Sequence, residues 1–180
     1  MLTSPFESAI LIKVPQAEYL VGPYRNSLDP SQKWGVPAHI TLLYPFLPPA
    51  QIDARVIAKL ETLIGSFSSF EFDLGQTEWF GDQVLWLSPE PALPFQSLMD
   101  ALFAGFPETR PYGGVDFDPI PHLTIADGAD FKIMQKVESD IHSKLPIHAT
   151  IESVSVMAGS HEPDSWKSIA EIPLGAEGRK

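Results

Sequence analysis

His39-Ile40-Thr41 and His122-Leu123-Thr124 each place an imidazole and a hydroxyl two positions apart, and the two triplets stand 83 residues from one another. Side chains alternate along a strand, so in each triplet His and Thr share one face while the apolar middle residue enters the other. Two such strands side by side would set two imidazoles around a space lined by two hydroxyls. Imidazole titrates near neutral pH, so one ring can take a proton while the other gives one. The threonines can hydrogen-bond non-bridging oxygens as charge builds on them. That combination suits a phosphoryl group and requires no metal. The near symmetry of the triplets leaves open which histidine is the base.

The triplet alone does not select the pair, because His148-Ala149-Thr150 is a third copy. Context selects it. His39 and His122 each follow a proline-containing loop and head a strand–loop–helix unit, whereas His148 opens a strand after a helix and reads as an edge-strand histidine. Tyr112, in a Gly-flanked loop before the second triplet, could stack on a nucleobase. Arg25 and Arg110 are the loop cations best suited to reach a phosphate, although Arg25 could equally pair with Asp29; Lys33 and Lys167 rank below them. Tyr44 and Phe46 fall by parity on the face opposite His39, a core position. His161, Glu162 and Asp164 lack the spacing of a known metal site and read as a solvated loop, and His142 as surface.

The elements that must position these residues repeat in order. A strand over about Ser8–Val14 leads into an irregular stretch through Gly22-Pro23 and Asp29-Pro30 to Gly35-Val36-Pro37. The strand His39–Pro45 follows, then a helix near Ala50–Ser66, on which Ile52, Val56, Leu60, Leu63 and Ile64 recur at helical spacing. Phe70–Phe80 and Val84–Ser88, joined at Gly81-Asp82, read as a hairpin. A helix over Pro94–Phe106 and a Gly- and Pro-rich connector Pro107–Pro121 precede the second round: strand His122–Ala126, helix Phe131–Leu145, and strands His148–Met157 and Trp166–Ile172. Trp86 lies 47 residues after His39 and Ser168 lies 46 after His122. This spacing predicts an α+β fold of two pseudo-symmetric lobes, built around units 39–88 and 122–174, with both histidines at the seam.

The whole-chain properties set outer limits. A length of 180 residues with 44% hydrophobic and 19% charged side chains describes one globular domain, 1–180, and the expectation is a monomer. A net charge of −11 argues against coating long duplex nucleic acid, and leaves a small nucleotide or an RNA end as the partner. The absence of cysteine removes disulfides, thiolate nucleophiles and Cys-based zinc sites, and fits a reducing cytoplasm. No stretch approaches the run of about 20 apolar residues that spans a bilayer.

The stretch Asp29-Pro30 through Gly35-Val36-Pro37-Ala38-His39-Ile40-Thr41-Leu42-Leu43-Tyr44-Pro45-Phe46 resembles the first motif of the 2H phosphoesterases, with its usual approach and exit. Pro111-Tyr112-Gly113-Gly114 leading to Pro121-His122-Leu123-Thr124-Ile125-Ala126 is similar to the second, and element order agrees from about residue 8 to 174. The resemblance includes the bacterial 2′-5′ RNA ligase-like proteins and cyclic phosphodiesterases. It implies antiparallel sheets around a water-filled cleft, with His39 and His122 as acid and base and Thr41 and Thr124 as phosphate contacts. The implied substrates are 2′,3′-cyclic phosphates, related cyclic nucleotides or 2′-5′ linkages, with no cofactor. Ligation in the reverse direction and a non-catalytic nucleotide or RNA-end binding module stay open as alternatives.

Overall fold

The computed structural model describes residues 6–109 and 119–176. The first apolar run forms β1 (Glu7–Lys13), whose five inner residues are all buried. A 3-10 turn leads into α1 (Glu18–Leu28), then the single-turn α2 (Pro30–Lys33) and β2 (His39–Leu43). The stretch expected to be irregular thus contains a helix. It runs through Pro23, which removes one backbone hydrogen bond, because burial of Leu20, Val21 and Arg25 on one face outweighs that loss.

Next comes α3 (Ala54–Ile64), which starts where the Asp53 carboxylate accepts the backbone N–H of Arg55 and Val56. β3 (Phe70–Phe80) and β4 (Val84–Glu90) form the hairpin, followed by α4 (Leu93–Gly105) and β5 (Leu123–Asp127). Asp130 caps α5 (Phe131–His142) in the same way as Asp53 caps α3. The run expected as one strand, 148–157, breaks at Glu152 into β6 (Ile147–Ile151) and β7 (Ser153–Gly159), and β8 (Lys167–Pro173) ends the fold.

These strands make two four-stranded antiparallel sheets, ordered β2-β1-β7-β8 and β5-β4-β3-β6, in an α+β arrangement of two lobes. The lobes do not follow the units 39–88 and 122–174. β2 belongs to the first sheet but the hairpin that follows it belongs to the second; β5 and β6 belong to the second, and β7 and β8 return to the first. The break at Glu152 is the cause, since β6 pairs with β3 while β7 pairs with β1. The internal match is instead β1–α1–β2–α3 with β4–α4–β5–α5: strand, helix, His-bearing edge strand, helix.

The covering helices are exchanged, for α1 packs on β5 of the second sheet and α4 packs on β2 of the first. One apolar cluster therefore runs through both lobes and includes Ile12, Ile40, Leu98, Leu85 and Ile125. A smaller cluster of Ala9, Leu11, Val36, Met157 and Trp166 lies on the opposite face of the first sheet. A core shared in this way should unfold as a unit. Ile125→Ala, at a fully buried position of β5, is expected to cost about 2–5 kcal/mol in urea denaturation. A single transition seen identically by circular dichroism and tryptophan fluorescence is expected, and separated transitions would contradict the shared core.

Candidate active site

β2 and β5 are the edge strands that face each other across the two sheets, and they are in contact. Ile40 and Leu123 are fully buried, whereas His39, Thr41, His122 and Thr124 are half-buried on the opposite face. Strand parity thus places His39 with Thr41 on one face of β2 and His122 with Thr124 on one face at the start of β5, and the two imidazoles are near enough for His122 to bear on His39.

The two rings are held identically. His39 Nδ1 lies 2.7 Å from the carbonyl oxygen of Pro37, and His122 Nδ1 lies 2.8 Å from that of Ile120. A carbonyl only accepts, so Nδ1 carries the proton and donates in each case, which leaves Nε2 as the basic nitrogen of the neutral ring. The carbonyl two residues before each histidine therefore sets both the tautomer and the ring orientation.

The surroundings of the rings differ. Burial pushes His39 down to about 4, and the charge of Arg25 and the proximity of His122 add to it against the opposing Pro37 bond and Asp29. His122 is also lowered by burial, opposed by its bond to Ile120, with no Arg25 contribution. Aromatic rings enclose it: Phe80 stands perpendicular at 4.9 Å between centroids and Trp86 at 5.7 Å. Trp86 is the cross-strand partner of Thr124, as Leu11 is of Thr41. Phe80 and Trp86 were absent from the expected site. The β4–β5 register, which no local pattern specifies, is what brings them there.

Arg25 is not a free cation in the groove. It is fully buried, with Nε on Asp29 at 2.9 Å, Nη1 on Gln32 at 2.8 Å, and Nη2 on Ser31 and on the Val36 carbonyl at 3.0 and 3.1 Å. It braces the loop that delivers His39, while the Glu18 carboxylate accepts the Ala38 N–H at 2.5 Å. The alternative pairing with Asp29 is the one adopted, because a guanidinium without solvent needs each N–H satisfied. Arg110 and Tyr112 lie outside the described residues.

Tyr44 is exposed, contrary to the expected core position, and its hydroxyl donates to Glu7 at 2.5 Å. Strand parity stops applying past Leu43, where β2 ends; Phe46 is buried and meets Phe106 edge-on at 5.1 Å. His148 is exposed on edge strand β6, paired with Asp73 at 2.8 Å, and His161 stacks on Trp34 at 4.1 Å. His142, in the last turn of α5, is exposed.

Residues 13–162 match the model of the 2′-5′ RNA ligase superfamily, and the chain belongs to this family of 2H phosphoesterases. Similar solved structures include TT0787 of Thermus thermophilus, at TM-score 0.64 and 19% identity over 95% of this chain and 99% of that one. Escherichia coli LigT without ligand gives 0.62 and 18% over 96% and 99%. The same LigT complexed with 3′-AMP gives 0.59 and 18% over the same shares. A search of curated protein sequences gives no match. Among the described residues no helix is long and apolar enough to cross a membrane.

Two measurements test the site's electrostatics. In an NMR titration of the imidazoles, His39 should show its inflection near pH 4, below that of His122; an inflection near 6.5 for His39 would refute the burial argument. Since the folded value lies below the unfolded 6.5, the neutral ring contributes stability above pH 6.5 that is lost as pH falls toward 4. Arg25→Met should cost about 3–5 kcal/mol, because it leaves Asp29 charged, buried and unpaired. Wild-type urea stability in that variant would show the brace to be dispensable.

Proposed function

We propose that this protein is a metal-independent phosphodiesterase that hydrolyses 2′,3′-cyclic phosphates or related nucleotide and RNA-end phosphodiesters. The reading rests on one observation: two imidazoles with the same fixed tautomer, each beside a threonine, on contacting edge strands. LigT, which shares the fold, has been crystallised with 3′-AMP, ATP and NADP+, and nucleotides of this kind fit the proposed class.

In the proposed reaction Nε2 of neutral His39 takes a proton from water as its oxygen attacks phosphorus. The bond from phosphorus to one ribose oxygen breaks, and imidazolium His122 gives that oxygen its proton. A cyclic diester and water become a phosphomonoester and a free hydroxyl, and proton exchange with solvent resets both rings. Thr41 and Thr124 donate hydrogen bonds to the non-bridging oxygens. His39 is assigned the base because burial and Arg25 hold it neutral most strongly. Both rings are lowered in the free protein, so the substrate's negative charge is what brings His122 into its protonated form. A ribose hydroxyl attacking the cyclic phosphate in place of water would give ligation with the same proton transfers, the diester to the new ribose forming as the bond to the old ribose oxygen breaks.

The test is turnover of 2′,3′-cyclic AMP, CMP, GMP and UMP across pH, with chelator present. A bell-shaped profile unaffected by EDTA is expected, and His39→Ala and His122→Ala should each lower kcat by about 10²–10⁴. Full activity in either folded variant would overturn the mechanism. Tight binding of a cyclic nucleotide without turnover would make the protein a binding module instead.

A further inference from the structure

The residue before His39 is held from both sides. Ala38 is fully buried, its carbonyl accepts the Val14 N–H at 2.8 Å, and its own N–H donates to Glu18 Oε1 at 2.5 Å. That N–H belongs to the Pro37–Ala38 peptide group, and the oxygen of the same group accepts from His39 Nδ1 at 2.7 Å. One planar unit therefore has a carboxylate on its donor side and the imidazole on its acceptor side. Resonance joins the two sides, because the nitrogen lone pair is shared with the carbonyl. An anion at the N–H moves electron density onto the oxygen, and hydrogen bonds in such a chain strengthen one another.

Glu18 is placed for this by α1. It opens the helix, and a Cβ at Gly22, one turn on, would stand 2.9 Å from its Oε2, so the glycine leaves the carboxylate room. The second histidine has no counterpart. Nδ1 of His122 donates to the Ile120 carbonyl, but the next residue is Pro121, so that peptide group has no N–H for a carboxylate to accept.

We propose that Glu18 is a positioning residue for the catalytic base, acting on His39 through the Pro37–Ala38 peptide to fix the ring and to stabilise the imidazolium it becomes on taking a proton from water. The role rests on the phosphodiesterase reading, in which His39 is that base. The other charged and titratable groups that bear on the ring are Arg25 of α1, Asp29 at the end of α1, and His122 beside β5. Lys13, its cross-strand partner on β1, is engaged by Glu171. Burial and Arg25 make His39 a weak base, and proton transfer needs a base strong enough to accept. The relay from Glu18 restores part of that strength without bringing a carboxylate to the reacting phosphate. On His122 the missing relay has the opposite use, since an imidazolium with less support gives up its proton more readily.

Two variants separate the relay from its simpler parts. Glu18→Gln keeps an oxygen for the Ala38 N–H but removes the charge, whereas Glu18→Asp keeps the charge but is one methylene too short to reach. In an NMR titration of the imidazoles, the His39 inflection should fall in both variants by about 0.5 pH unit, a loss of about threefold in proton affinity, while that of His122 stays in place. The acidic limb of the pH dependence of kcat/KM on 2′,3′-cyclic AMP should move down with it, and the alkaline limb should not. A bond needed only to shape the loop would leave Glu18→Gln like wild type, and a charge acting only through space would leave Glu18→Asp like wild type; either result overturns the relay. The titration needs no substrate. A lowered His39 inflection without turnover of the cyclic nucleotide by wild type would count against the phosphodiesterase reading alone.

Discussion

The contact between β2 and β5 is the constraint on which the other features rest. Each is the outer strand of its own sheet, and each exposes one face while burying the other under a helix that belongs to the opposite half of the chain. An outer strand left open is ordinarily a liability, since its unpaired backbone invites further strands. Here both outer strands are enclosed by the exchange of helices, and the polar faces they keep exposed meet at one groove. Moving either strand by one residue would turn Ile40 or Leu123 outward and bury an imidazole, so the shared core fixes the register of the site as firmly as it fixes the fold.

Charge is distributed around the groove with a similar economy. The chain carries a net charge of −11, yet the cation that bears on His39 is drawn inward: Arg25 is enclosed beneath the loop before β2, while Lys13, the cross-strand partner of His39, is tied across the first sheet. Arg25 acts on His39 through space rather than by contact, holding the ring neutral while it holds the loop in shape. His122 has aromatic neighbours in place of charged ones. Two triplets that look equivalent as sequence therefore become a less basic and a more basic imidazole through what other elements bring to them.

Local patterns carried much of this. Alternation in the two His-x-Thr triplets correctly separated the buried Ile40 and Leu123 from their polar neighbours, and the hairpin over residues 70–90 was legible from its strand formers around Gly81-Asp82. Pairing information was not local. Pro23 and Asp29-Pro30 read as breakers, although the burial of Leu20, Val21 and Arg25 carries a helix through the first of them. Glu152 gives no turn signal, yet it is where the chain passes from one sheet to the other, which is why the lobes could not be drawn from sequence spacing. Arg25 looked exposed because an arginine in a polar loop usually is, and its four partners converge only after α1, α2 and the following loop have folded together. Phe80 and Trp86 reach His122 through a register that only the assembled sheet defines.

The order of strands also has a bearing on how the chain is made. The second sheet is built from residues 70–151 without interruption, so its widest pairing, Phe70 with Ile151, closes over 81 residues, against 152 for Glu7 with Gly159 in the first sheet. The first sheet joins β1 and β2 to β7 and β8, from opposite ends of the chain, and α3 finds its place against β8 only when that last strand exists. Loop closure of that span is the slower event. During synthesis β1 must therefore wait for its partner β7, with Leu11 and Ser155 standing 144 residues apart. Lys13 at one end of that waiting strand and Glu7 at the other supply charges of opposite sign where a bare strand is most exposed to wrong partners.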